Sequence, residues 1–150
     1  MSKKIFNTTF EVSMRLLLLL DVFKTSLDEE KILYIDFFTI YSSNYGISPS
    51  NLNGFSDFMI NEFTSQRLLI QKSIKELVLL GLIKVEISKD GFLYKINNDG
   101  TLLCESMNSE YAEQYKQYAL LVKNKVSNMT MSNLRKFAKS KEVEFKNATY

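Results

Sequence analysis

The sequence predicts a mainly α-helical single domain with one small β-hairpin, in the order of a winged helix-turn-helix unit followed by C-terminal helices. Three observations predict it. Apolar residues recur at helical spacing in several stretches, two of which open on a capping box, Thr8-Thr9-Phe10-Glu11 and Ser26-Leu27-Asp28-Glu29. Residues 82–97 switch to period-2 alternation about Asp90-Gly91, as a hairpin does. The run from Leu80-Gly81 into LIKVEISKDGFLYKI reads helix, Gly, strand, turn, strand, which is how a winged unit ends. At 150 residues, 45% hydrophobic and 24% charged, the chain is long enough to bury a core and too apolar to be disordered.

The winged core is expected over residues 1–100. Its first helix spans about 8–23, with Val12, Leu16, Leu19, Leu20 and Phe23 on one face and Leu17 and Leu18 widening it, so burial on more than one side is expected. Glu11 and Arg15 are spaced for an i,i+4 ion pair. The second helix, about 28–43, carries Asp28, Glu29 and Glu30 in its first turn, where the helix dipole favours negative charge. Its ILYIDFFTIY segment holds more large apolar side chains than one small core can take. Two readings follow: a central helix packed on several sides, or an apolar partner surface including Tyr34, Phe38 and Tyr41.

Residues 44–61 read as a long connection with the only proline, and two readings follow: a docking loop anchored by Phe55, Phe58 and Met59, or a loop that these three residues pin to the core. A third helix, about 62–80, directs Leu69, Ile70, Ile74, Leu77, Val78 and Leu80 inward and Arg67, Gln71, Lys72, Lys75 and Glu76 outward. Gly81 suits the left-handed position just past its end. In the hairpin at 82–97, Ile83, Val85 and Ile87 alternate with polar residues on the way out, and Phe92, Tyr94 and Ile96 form the apolar set on the way back. Residues 101–140 are expected to add C-terminal helices packed on the core. The clearest, 110–126, sets Tyr111, Tyr115, Tyr118 and Val122 near heptad spacing, a further candidate partner stripe, and residues 141–150 form an expected frayed tail.

Composition excludes much chemistry. With no histidine, the commonest general base, the Ser-His and Cys-His pairs and the commonest metal ligand are absent. One cysteine cannot make an internal disulfide or a structural zinc site; Cys104 reads as a small buried hydrophobe in a reducing cytosol. No phosphate-cradling glycine motif is present. No export signal is read, and the longest apolar run, Leu16–Leu20, is far short of the roughly 20 residues of a membrane span. The expectation is a cytoplasmic protein with no catalytic residues, cofactor or metal.

Nucleic-acid binding has to pass a charge test. A winged helix reads DNA with the helix before the hairpin and with the wing, so Lys72, Lys75, Lys84 and Lys89 are the candidate phosphate contacts. Residues 1–122 carry 12 Lys+Arg against 15 Asp+Glu, a net of −3, while residues 123–150 carry 7 against 2, a net of +5. The winged part is thus slightly acidic, whereas DNA affinity rests on neutralised phosphates. The connection before the third helix also far exceeds the 3–4-residue turn of a DNA-binding helix-turn-helix. A DNA-binding transcriptional regulator is therefore the second reading, and a binder of protein partners the first. A third combines them, with DNA touched only while a partner holds it.

The segments FEVSMRLLLLLD at 10–21, LYID at 33–36 and LVLLGLIKVEISKDGFLYKI at 77–96 resemble, in order and spacing, the small middle components of ABC-three-component systems, prokaryotic conflict modules that include Lamassu-type antiphage defence. The similarity covers most of residues 6–125. It implies a non-enzymatic, winged-helix-like accessory subunit between an SMC/Rad50-like ABC ATPase and an effector, often a nuclease. Such a system senses foreign or replicating DNA and triggers abortive infection or plasmid loss. The resemblance carries over no catalytic residues.

Overall fold

The computed structural model describes residues 8–52 and 59–149, the side chains of 59–62 and 141–149 excepted. Among the described residues there are six helices and one two-stranded antiparallel hairpin. They are α1 (Thr9–Phe23), α2 (Glu29–Ile40), α3 (Met59–Leu79), β1 (Ile83–Ser88), β2 (Gly91–Ile96), α4 (Asn98–Ser106), α5 (Glu110–Val126) and α6 (Met131–Thr149).

Local chemistry sets most boundaries. The Thr8 hydroxyl accepts the Glu11 N–H at 3.1 Å and starts α1. The second helix begins two residues later than its capping box suggests: Asp28, not Ser26, is the cap, accepting the Lys31 N–H at 2.8 Å. Leu27 is drawn out of the helix by reciprocal backbone hydrogen bonds with Tyr94, 3.0 and 2.8 Å, and the Ser26 hydroxyl donates to Glu86 instead. At the end of α3, Gly81 takes φ +73° while Gly81 N–H reaches the Val78 carbonyl and Leu82 N–H the Leu77 carbonyl, at 3.0 and 3.1 Å. This paired Schellman closure turns the chain into β1.

In the hairpin, Lys89 and Asp90 form the two-residue turn, and only Gly91, φ +127°, has a positive φ there. Asp90-Gly91 thus straddles the turn's exit rather than filling its centre. Ser88 supports the reversal, accepting the Asp90 N–H at 3.3 Å and donating to the Gly91 carbonyl at 2.8 Å. Asn97 and Ser109 cap α4 and α5. The third helix starts three residues before 62, absorbing Met59 and Ile60, and α6 continues to Thr149 rather than ending near 139. The tail expected to fray is thus helical as far as Thr149.

Helix α1 is the hub, packed against α3, α5, α4 and α2 and the base of β2. Small side chains allow close approach to α3: the Ser13 hydroxyl meets the Ser73 carbonyl and Glu76, and the Ser73 hydroxyl meets the Thr9 carbonyl. Gly100 marks a second tight junction, where a Cβ would lie 2.3 Å from the Leu82 carbonyl oxygen and 2.6 Å from Ile96 Cγ1. The leucine run of α1 and most of ILYIDFFTIY are buried together.

Arg15 is buried in that interior and pairs with Asp36 rather than Glu11. Its Nε and one terminal nitrogen reach the two carboxylate oxygens at 2.7 and 2.8 Å. Gln66 accepts a further bond at 3.3 Å, and the Tyr115 hydroxyl donates to Asp36 at 2.7 Å. A fork-to-fork pair needs its remaining positions satisfied when desolvated, and here α3, through Gln66, and α5, through Tyr115, help to supply them. Burial opposes the charge on Arg15, but Asp36 together with Tyr111 and Tyr115 outweighs it, so its pKa is raised. Burial, then Asp36, pushes the Tyr115 hydroxyl well above its usual range.

Candidate functional site

The hairpin carries more apolar surface than the core covers. Ile83↔Ile96, Val85↔Tyr94 and Ile87↔Phe92 are cross-strand pairs on one face of β1 and β2. Only the first pair is buried. Toward the tip the same face emerges: Val85 and Phe92 are exposed, and Ile87 is 84% exposed. The alternation gives the hairpin one apolar face, and only the base of that face is buried. The physical reason is reach: the six-residue strands project beyond the helices that cover their base, with α3 the helix packed most closely on β1.

Helix α3 forms the opposite wall. Leu68, Lys72, Lys75 and Leu79, spaced four, three and four residues apart, make one exposed stripe, with Leu79 86% exposed. Leu80, expected inward, is also exposed, because the Schellman closure carries the chain away from the core at that point. Between helix and hairpin lies a groove of about 350 Å³ lined by Ile74, Lys75, Val78, Leu79, Val85, Phe92 and Tyr94. Burial, then the nearby Glu29, raises the Tyr94 pKa. The far end of the groove is braced by Gln71 donating to Glu29 at 3.0 Å and by an Arg67–Glu30 ion pair.

The aromatic residues singled out in the sequence lie elsewhere. Tyr34, Phe38 and Tyr41 are buried in the chain's own interior, where rings of α2 stack with Tyr45, Phe63 and Phe137: Phe38 to Phe137 is 5.2 Å and Tyr34 to Phe63 is 5.0 Å between centroids. They are core in this fold, not an outward partner surface; helix α2 is covered by α3, α5 and α6. Tyr115 and Tyr118 are likewise buried and Tyr111 is half-buried, so the heptad spacing of α5 is an inward seam. Tyr118 ties the connection after α2 to α5, its hydroxyl 2.8 Å from the Ser50 hydroxyl. Phe55 and Phe58 lie outside the described residues; Met59 opens α3, its side chain outside them too.

The four candidate phosphate contacts are all exposed. Lys72 and Lys75 share the stripe on α3, Lys84 pairs across the hairpin with Lys95 on the face opposite the groove, and Lys89 sits in the turn. Cys104 is buried, which pushes its thiol up to about 12. Among the described residues no group of three or more potential metal ligands converges, and no helix is long and apolar enough to cross a membrane.

Fold and groove together define a helical protein whose most exposed large apolar side chains cluster about a hairpin and the helix before it. The family model for the ABC-three component (ABC-3C) system Middle Component 2 matches residues 5–147. The chain belongs to that family, and so is one component of a system that contains others. No curated protein and no solved structure matches it.

Proposed function

We propose that this chain is a non-catalytic adaptor of a prokaryotic defence system, of the Lamassu type, and that it works in the cytoplasm. It links an SMC/Rad50-like ABC ATPase to an effector subunit, a nuclease. The observation that carries the reading is the uncovered apolar wall of Leu79, Val85, Ile87 and Phe92, since exposed apolar patches of this kind mark protein-binding sites. Family membership supports the reading in that it implies other components of the same system.

A winged-helix architecture is part of the same proposal. The order α1, the Leu27 bridge, α2, α3, β1, β2 supports it, the bridge standing where a short first strand would join the wing. The connection from α2 to α3, residues 41–58, is 18 positions long and departs from the short turn of DNA readers.

Co-expression with the other components of its own system tests the adaptor role. A stable complex with the ATPase is the expected result; a chain that emerges alone while the ATPase purifies without it overturns the reading. The exposure of Lys72, Lys75, Lys84 and Lys89 favours a subordinate contact with DNA phosphate inside that complex. The isolated chain should then bind duplex weakly and without sequence preference, with affinity collapsing as salt rises. Retention of a single preferred sequence at physiological salt would instead establish the regulator.

A further inference from the structure

We propose that β1 is an acceptor strand: its outer edge pairs with an extended segment of another protein, whose residues are apolar and acidic in alternation. This rests on the adaptor reading and specifies the chemistry of the partner. The two edges of the hairpin are not equivalent. Beyond β2 the sheet is continued by the Leu27–Tyr94 bridge, whereas among the described residues no strand lies beyond β1. Proteins commonly blunt such an edge with a proline, a bulge or an inward charge. β1 has no proline, its register with β2 runs unbroken from Ile83↔Ile96 to Ser88↔Gly91, and its groove-facing side chains are Ile83, Val85 and Ile87.

The alternation follows from the two faces. A strand added beside β1 has side-chain period two, so every second residue falls on the groove face next to Val85 and Ile87 and opposite Leu79. Those residues should be apolar. The intervening ones fall on the other face, beside Lys84, which stands directly across from Lys95, and beside Glu86, which the Ser26 hydroxyl engages, so the acidic position is the one next to Lys84. Like charges opposite one another are unfavourable, and an acidic neighbour relieves them. On the groove side the exposed charges of α3 are Lys72 and Lys75, while Glu76 is hydrogen-bonded to Ser13 and Glu29 to Gln71. Apolar walls beneath a cationic rim suit an acidic polypeptide in extended form.

The test uses the full chain and an end-blocked ten-residue peptide alternating leucine and glutamate, read by fluorescence anisotropy and by amide hydrogen exchange. Binding should protect alternate amides of β1, those facing away from β2. A peptide N-methylated at its leucines should bind far more weakly. Ile87→Glu, at a position too exposed to matter for folding, should weaken binding by about tenfold or more, and Lys84→Glu by about fivefold. Three results overturn the proposal: binding that leaves the β1 amides unprotected, equal binding of the N-methylated peptide, or a free chain that dimerises through β1. Absence of peptide binding in a chain that still co-purifies with its ATPase removes the acceptor strand and leaves the adaptor role. Loss of both removes both.

Discussion

Two regions of this molecule look equally apolar in the sequence and behave in opposite ways. The leucine run of α1 and the ILYIDFFTIY of α2 lie almost wholly inside, whereas the alternating residues of the hairpin rise out of the core into solvent. The difference is one of position. Helix α1 is surrounded by packed elements, so even a guanidinium on it is buried; β1 has β2 on one side and packs chiefly on α3. The two most exposed large apolar side chains, Leu79 and Ile87, therefore sit at the end of α3 and on the hairpin, not in the helix where apolar residues are densest.

The comparison is broken most severely from the inside. Asp36→Ala leaves the Arg15 guanidinium buried with only part of its hydrogen bonding, and loss of one partner of such a pair costs about 3–5 kcal/mol. Urea unfolding at neutral pH should show that loss, and the double replacement Arg15→Met with Asp36→Leu should recover most of it. A single variant as stable as the parent would mean the core does not depend on this pair.

Gly100→Ala attacks the seam between the two regions. The added methyl meets the Leu82 carbonyl and Ile96 at distances real contacts never reach, so the start of α4 and the base of the hairpin must part. Overpacking of this kind costs about 1–3 kcal/mol. Hydrogen exchange should locate the loosening at Leu82 and Ile96 rather than in α1.

The sequence disclosed elements better than it disclosed partnerships. Thr8, Gly81 and the Asp90-Gly91 reversal carry local information, and the structure places a cap, a Schellman closure and a turn there. Ser26 failed as a cap because Tyr94, 67 residues away, holds the neighbouring Leu27 extended. Arg15 and Glu11 are neighbours on a helix face, yet Asp36 lies where desolvation makes a partner obligatory. A signal existed: one arginine and one aspartate, each embedded in an otherwise greasy run, have to find each other if both runs are interior. Nothing local separates the buried Ile83 from the exposed Ile87, since both obey the same alternation. How far the helices reach along a strand is a tertiary fact.

Alkaline pH probes the core more gently. Burial holds the Cys104 thiol protonated up to about 12 against an ordinary 9.0, and raises Tyr111 and Tyr115 in the same direction. Groups with raised folded values contribute stability that is fully present below the unfolded value and lost as pH climbs toward the folded one. Stability should accordingly be level through neutral pH and fall above about 9, by up to about 1.4 kcal/mol per pH unit for each group engaged. Cys104→Ala should flatten the 9-to-10 portion of that decline, and a profile unchanged by the substitution would show that the thiol titrates alike in the folded and unfolded states.

The smallest effect on stability is expected at the other region, and its smallness is the informative result. Ile87→Glu and Leu79→Glu exchange large apolar side chains that are 84% and 86% exposed for charged ones. Surface changes of this kind shift stability by no more than about 0.5 kcal/mol. Thermal unfolding should therefore be nearly superimposable on that of the parent, while association with the ATPase weakens. A substantial loss of stability would show that Ile87 and Leu79 are covered within the chain itself, which would erase the contrast between the two regions. Unchanged stability together with unchanged association would place the partner surface away from the groove, leaving the hairpin as an overhang with no occupant.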